Sequence, residues 1–246
     1  SLDLETTGLD NRSHEIIEVG AVKFRGYDVI DTYQTLVNPY RRLSEFIINY
    51  THITQKEVDN APPFAVVAGE VASFVEDLPI IGHNVPFDIG FLEKKGLKLD
   101  NSLSDTWDLA YALLPEAPEY ALSLLAVSLG IEHPQPHRAL PDAAVTHQVF
   151  IKLLERALEL DVATLTEIQR LATRSKWVLG YVMGGLLEDM HRISGLRAGE
   201  TGLLGFNENE LKKRLGSSKA LHPNKDEGLV NLETLSQMMD KEGPVS

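Results

Sequence analysis

The period of the hydrophobic positions changes several times along the chain, and each change predicts an element. The opening "SLDLETTG" alternates apolar and polar residues, as a strand does, which places Asp3 and Glu5 on the same face. "HEIIEVGAVKF" (14–24) and "DVIDTYQTLVNP" (28–39) are β-branched runs with partial alternation, joined by a short linker holding Gly26, and predict a hairpin. "LSEFIINYTHI" predicts a short helix, and "TQKEV" begins another with the capping-box pair Thr54 and Glu57. "PPFAVVAGEVASFVEDL" has helical spacing, whereas "PIIGHN" is a short apolar run suited to a buried strand.

"VPFDIGFLEKKG" then predicts a helix with Asn84 near its cap, Pro86 in the first turn and Gly96 closing it, so Asp88 falls in a first turn. After "NSLSDT", helices are predicted near 106–114, near 121–129 before Gly130, and near 141–156 with Pro141 in the opening turn. A hairpin followed by strands alternating with helices indicates an α/β class, a mixed sheet flanked by helices. From residue 157 no strand pattern follows. "ATLTEIQRLATRS" and "WVLGYVMGGLLEDMHRI" are expected to be helical, as are parts of "ELKKRLGSSK" and "VNLETLSQMMDKEG".

Composition narrows the chemistry. The 246 residues contain no cysteine, so disulfides, thiolate metal sites and cysteine nucleophiles are excluded, and any metal must be held by oxygen or imidazole. The net charge of −13 argues against a broad basic groove for a nucleic acid. Residues 1–156 carry 23 acids against 12 basic residues and so hold most of that excess. No apolar run is long enough to span a bilayer and no export signal pattern is present, so a soluble, cytoplasmic protein without membrane contact is expected.

Within the acidic part, Asp3 and Glu5 share a strand face, where like charges repel unless a proton, a cation or water offsets them. Asp88 follows the end of "PIIGHN", at the sheet edge where α/β proteins bind ligands. His137 lies in the proline-rich loop "EHPQPHRALPDAA", and Asp142 follows five residues later at a helix start. Singly, Asp88 and Asp142 are equally explained as acids complementing helix dipoles, and His137 and Arg138 as solvated loop residues.

Together these stretches resemble the DnaQ-like, or DEDD, 3′-to-5′ exonucleases of RNase H-like fold. "DLETTG" (3–8), "HNVPFD" (83–88) and "HRALPD" (137–142) match the three family motifs in order, and histidine five residues before the last aspartate is similar to the DEDDh branch. "SDTWDLA" and "YALSLLAVSLGI" are similar to the family's text between the second and third motifs. The resemblance covers residues 1–156 and implies a mixed five-stranded sheet, an antiparallel hairpin then parallel strands, flanked by helices and followed by a mostly helical extension.

It further implies that Asp3, Glu5, Asp88 and Asp142 hold two Mg²⁺ or Mn²⁺ ions, hard cations that oxygen ligands suit. His137 would be the general base. Thr6, Leu9, Asn84 and Phe87 would hold the 3′-terminal nucleotide, with core packing the competing reading for Leu9 and Phe87. The implied partner is a single-stranded 3′ end, DNA before RNA, with an exoribonuclease or a non-catalytic nucleic-acid module as alternatives. Only Ser1 and Leu2 precede Asp3, fewer residues than the family has there, so the first strand is expected to be short of pairing and burial. "LTEIQRLATRSKW" and the final "VNLETLSQMMDKEGPVS" resemble the connector of bacterial exonuclease fusions to a DinG-type helicase, so residues 157–246 are expected to lead toward a helicase that is not in this sequence. A polymerase III ε-like protein is the other setting.

Overall fold

The computed structural model describes residues 1–174 and 179–192. Strand β1 (Leu2–Thr6) pairs antiparallel with β2 (Ile16–Arg25), which pairs antiparallel with β3 (Asp28–Leu36). Short strands β4 (Ile80–Gly82) and β5 (Leu103–Asp105) form a parallel pair. Among the described residues these are the five strands expected, antiparallel first and parallel afterwards, but their hydrogen bonds group them as a three-stranded antiparallel sheet and a separate two-stranded parallel one rather than a single mixed sheet. The expected shortage of pairing and burial in the first strand does not occur: β1 is paired along its whole length, Ser1 already exchanges hydrogen bonds with Val22, and Leu2 is 1% exposed.

The helices up to residue 157 are α1 (Glu45–Thr51), α2 (Gln55–Asp59), α3 (Phe64–Val75), α4 (Val85–Lys94), α5 (Thr106–Leu113), α6 (Leu122–Ser128) and α7 (Ala139–Ala157). Each lies where the periodicity predicts a helix. The capping box at Thr54 is complete, with the Thr54 side chain accepting from the Glu57 amide and Glu57 accepting from the Thr54 amide. The cap of α4 falls at Asn84, as expected, but its free amides are satisfied from strand β5. Asn84 occupies the cap position at φ 66° but its side chain caps nothing; Asp105, at the end of β5, accepts from the amides of Asn84 and Val85 at 2.9 and 2.8 Å instead.

A bulge explains why β2 is buried on both faces. The register slips between Glu5 and Thr6, so Glu5 faces Glu18 while Thr6 faces Ile16, and Ile17 is the extra residue. The slip reverses the faces at that end: Ile16 joins Val19 in a cluster with Leu2, Leu4, Val71 and Phe91, whereas Ile17 packs with Leu43, Ile47, Ile53 and Val58.

The described residues divide into two compact units, one of Ser1–Trp107 with Glu119–Phe150, the other of Asp108–Pro118 with the described residues of 151–192. In the second, α8 (Val162–Arg174) and α9 (Leu179–Arg192) pack together through buried Leu165, Ile168, Val182 and Leu186. Asp161 starts α8 by accepting from the Thr164 amide and hydroxyl. The helices expected in "ELKKRLGSSK" and "VNLETLSQMMDKEG" lie outside the described residues.

Candidate active site

Asp3 and Glu5 project from the face of β1 opposite to Leu2 and Leu4, and Asp142 comes to them from the first turn of α7. One carboxylate oxygen from each of the three lies within 4.8 Å of the others. What permits this is the absence of a side chain at Gly20, paired to Asp3 on β2. A Cβ there would stand 2.2 Å from the backbone of Ala139 and Leu140, so the start of α7 rests on the bare strand.

Asp88 enters through the backbone. Ser1 and Val22 exchange hydrogen bonds, so along β1 the odd-numbered residues bond to β2 and the amide of Leu4 points the other way. That amide donates to Asp88 Oδ1 at 3.0 Å, fixing the first turn of α4 to the middle of β1.

Glu18 completes the support. Fully buried on β2 beside Glu5, it accepts from Arg138 Nε and Nη2 at 3.0 and 2.7 Å, from the Ala139 amide at 3.0 Å and from Gln34 Nε2 at 2.7 Å. Arg138 is therefore more than a solvated loop residue: its side chain is partly exposed, but the buried carboxylate holds its Nε and Nη2 as a clamp on the start of α7. The sequence did carry a signal for Glu18, since a lone acid within "IIEVGAV" must be paired if the run is buried.

Asp142 is held from two directions. His133 Nε2 lies 2.6 Å from its Oδ1 and the His137 amide donates to its Oδ2 at 3.2 Å. His137 adopts φ 65°, a left-handed conformation costly for a side chain with a Cβ, and its ring stacks on Tyr50 of α1 with centroids 3.7 Å apart. Phe46, one turn earlier on α1, stacks in turn on Tyr50. Neither Tyr50 nor His133 is singled out by motif spacing.

The electrostatics follow from crowding. Burial first, then the charges of Asp88, Asp142, Glu5 and Glu18, push the Asp3 carboxyl far above its usual range. Burial, then the charges of Asp142, Glu18 and Asp88, raise Glu5 to about 8, with Arg138 opposing. Asp88 and Asp142 are also raised, chiefly by burial. For His137 burial lowers the pKa and the neighbouring Asp142 charge opposes it, which keeps the imidazole neutral near pH 7. Four acids with raised pKa values, Glu5, Asp88 and Asp142 buried and Asp3 partly so, form a donor set that a hard divalent cation would satisfy.

Of the residues expected to hold a nucleotide, Leu9 is 85% exposed, so core packing does not explain it. Phe87 is partly buried, packed on the core cluster and against Phe91 at 4.9 Å. Asn84 is exposed at the start of α4, and the Thr6 hydroxyl is occupied, donating to the Gly8 carbonyl at 2.8 Å.

Comparison with known proteins agrees with this architecture. The family model described as Exonuclease (RNase T) matches residues 1–150. The DNA polymerase III PolC-type protein of Caldanaerobacter subterraneus subsp. tengcongensis is 36% identical over 170 residues, 68% of this chain but only 12% of that protein. One of Staphylococcus aureus is 38% identical over 173 residues, again 68% of this chain and 12% of the relative. Among solved structures, the nuclease domain of 3′hExo, a DEDDh family member bound to rAMP, superposes with a TM-score of 0.56 at 24% identity, covering 65% of this chain and 92% of that one. E. coli Exonuclease I with a dA16 oligonucleotide gives 0.57 at 22%, covering 68% and 42%. The likeness to these structures is one of fold. No described helix is long and apolar enough to cross a membrane. By the match across its first 150 residues, the chain belongs to the exonuclease family, DnaQ-like and RNase H-like in fold.

Proposed function

We propose that residues 1–150 form a divalent-metal-dependent 3′-to-5′ exonuclease that releases nucleoside 5′-monophosphates from single-stranded DNA ends. The observation that carries this reading is the convergence of Asp3, Glu5 and Asp142 within 4.8 Å, with Asp88 tied to the same strand. Asp3, Glu5, Asp88 and Asp142 would hold two Mg²⁺ or Mn²⁺ ions. When bound, such a pair supplies positive charge to the attacking and leaving oxygens of the phosphodiester. His137, neutral near pH 7, would take the proton of the attacking water as general base. Exposed Leu9, Asn84 and the outer edge of Phe87 would hold the terminal base and sugar, a sequence-tolerant contact, with the backbone around Thr6 beside them.

The PolC-type relatives support DNA over RNA as the polymer and a replicative polymerase setting for the domain. The similarity of residues 157–246 to a helicase connector supports the other setting, fusion to a DinG-type helicase. The test is mononucleotide release from matched 3′-labelled single-stranded DNA and RNA, with Mg²⁺, Mn²⁺ or chelator. The expected result is metal-dependent release, faster from DNA. Faster release from RNA would make the domain an exoribonuclease. No release from either by folded protein would leave a binding module.

A further inference from the structure

His133 belongs to none of the three motifs, yet its side chain is 4% exposed and lies directly behind a carboxylate of the site. It sits in the loop between α6 and α7. Nε2 is 2.6 Å from Asp142 Oδ1, and Nδ1 is 2.9 Å from the hydroxyl of Ser123 on α6. The two contacts fit together in one tautomer. An ionised carboxylate only accepts, so Nε2 carries the hydrogen, and Nδ1 is left to accept from the Ser123 hydroxyl.

Asp142 is thus gripped at both oxygens, by His133 at Oδ1 and by the His137 amide at Oδ2. Each contact uses one lone pair, so each oxygen keeps another for a cation. His133 is not among the acidic groups that converge with Asp3 and Glu5, which places it behind Asp142 and outside the first ring of donors. A carboxylate without such a grip would rotate about its χ2 torsion and meet a cation in the wrong orientation part of the time.

We propose that His133, its tautomer set by Ser123, is a positioning residue that orients the Asp142 carboxylate toward a divalent cation. The proposal rests on the reading of the four acids as a cation site. A buried histidine held merely for packing would be replaced without loss by an apolar side chain of similar volume, whereas a positioning donor would be replaced best by another N–H at the same place. Gln, whose Nε2 can reach the position of the histidine Nε2, provides that contrast.

The experiment is Mn²⁺ binding by calorimetry to the full chain, with His133→Leu, His133→Gln, Ser123→Ala and, as a control lacking a ligand, Asp142→Asn. The expected result is Mn²⁺ affinity weakened about 10–100-fold in His133→Leu. His133→Gln should recover much of that loss, and Ser123→Ala should lose less than His133→Leu. In nuclease assays the Mn²⁺ concentration for half-maximal rate should rise in the same order, while the rate at saturating metal stays near wild type. If the wild type binds Mn²⁺ and both His133→Gln and Ser123→Ala bind it less tightly than a folded His133→Leu, or if all three bind as the wild type does, the positioning role is overturned and the cation site stands. If the folded wild type binds no Mn²⁺, both fall together. Should His133→Leu fail to fold, an unchanged affinity in both Ser123→Ala and His133→Gln decides against the proposal.

Discussion

At the scale of single residues, the site sets acids that must be charged to work into surroundings that resist charge. His137 is the residue whose loss should separate chemistry from binding. Replacing it with Ala should lower mononucleotide release about 10²–10⁴-fold, the usual worth of a general base. Calorimetric Mn²⁺ affinity should stay unchanged, because the imidazole is not among the convergent acids. Loss of metal binding in that variant would count against the base assignment. Glu18 makes a different prediction. Its carboxylate receives three N–H groups from Arg138 and Ala139, so Glu18→Ala strands a guanidinium and an amide at the start of α7. Chemical denaturation should show a loss of about 3–5 kcal/mol, the cost of breaking a buried ion pair by removing one partner. A loss near zero would mean that Arg138 simply turns to solvent.

Elements bring these residues together, and the decisive contact is the one between β2 and α7. Gly20→Ala would place a methyl group 2.2 Å from the backbone of Ala139 and Leu140, a clash that no rotamer relieves. The helix start must retreat, taking Asp142 and His137 from Asp3 and Glu5. We expect destabilisation of about 1–3 kcal/mol, or somewhat more, from overpacking. We also expect a fall in nuclease rate larger than the stability change explains, measured where the variant is still fully folded. An unchanged rate would show that α7 can shift without disturbing the acids. Elements were also the level most legible in the sequence. The hairpin, the capping box at Thr54 and the first-turn positions of Asp88 and Asp142 follow from local periodicity and end signals, which act within a few residues. The Asp105 cap on α4 was not legible, since it joins residues some twenty positions apart.

At the scale of the whole molecule, the crowded acids tie stability to pH and metal. Glu5 is raised from 4.5 to about 8 on folding, so the folded protein binds its proton more tightly than the unfolded chain. Its contribution to stability is therefore fully present below about pH 4.5 and is lost as pH rises through about 8. Glu5→Gln is neutral at every pH. In chelator, its melting temperature relative to wild type should climb between about pH 4.5 and pH 8 and level off above that. A gap that narrowed over that range would contradict the burial of Glu5. Mn²⁺ added near the upper end should raise the wild-type melting temperature more than that of the variant, because a cation favours the ionised carboxylate the variant lacks.

The sequence by itself determined strands β1 to β4 and the helices of residues 1–157, the three motifs, and the donor chemistry that the absence of cysteine allows, whereas β5 within "NSLSDT" carried no strand pattern of its own. These are properties of short windows and of residue identity, and they survive any arrangement of the chain. Only the tertiary structure decided that Arg138 serves Glu18, that Leu9 is exposed while Phe87 leans on the core, and that His133 stands behind Asp142. Each depends on which segments lie side by side, and that is set by the burial of both faces of β2 and by the bare backbone at Gly20. The lone acid in "IIEVGAV" shows that Glu18 needs a partner, but nothing in the local pattern at either end of this contact across 120 residues names Arg138.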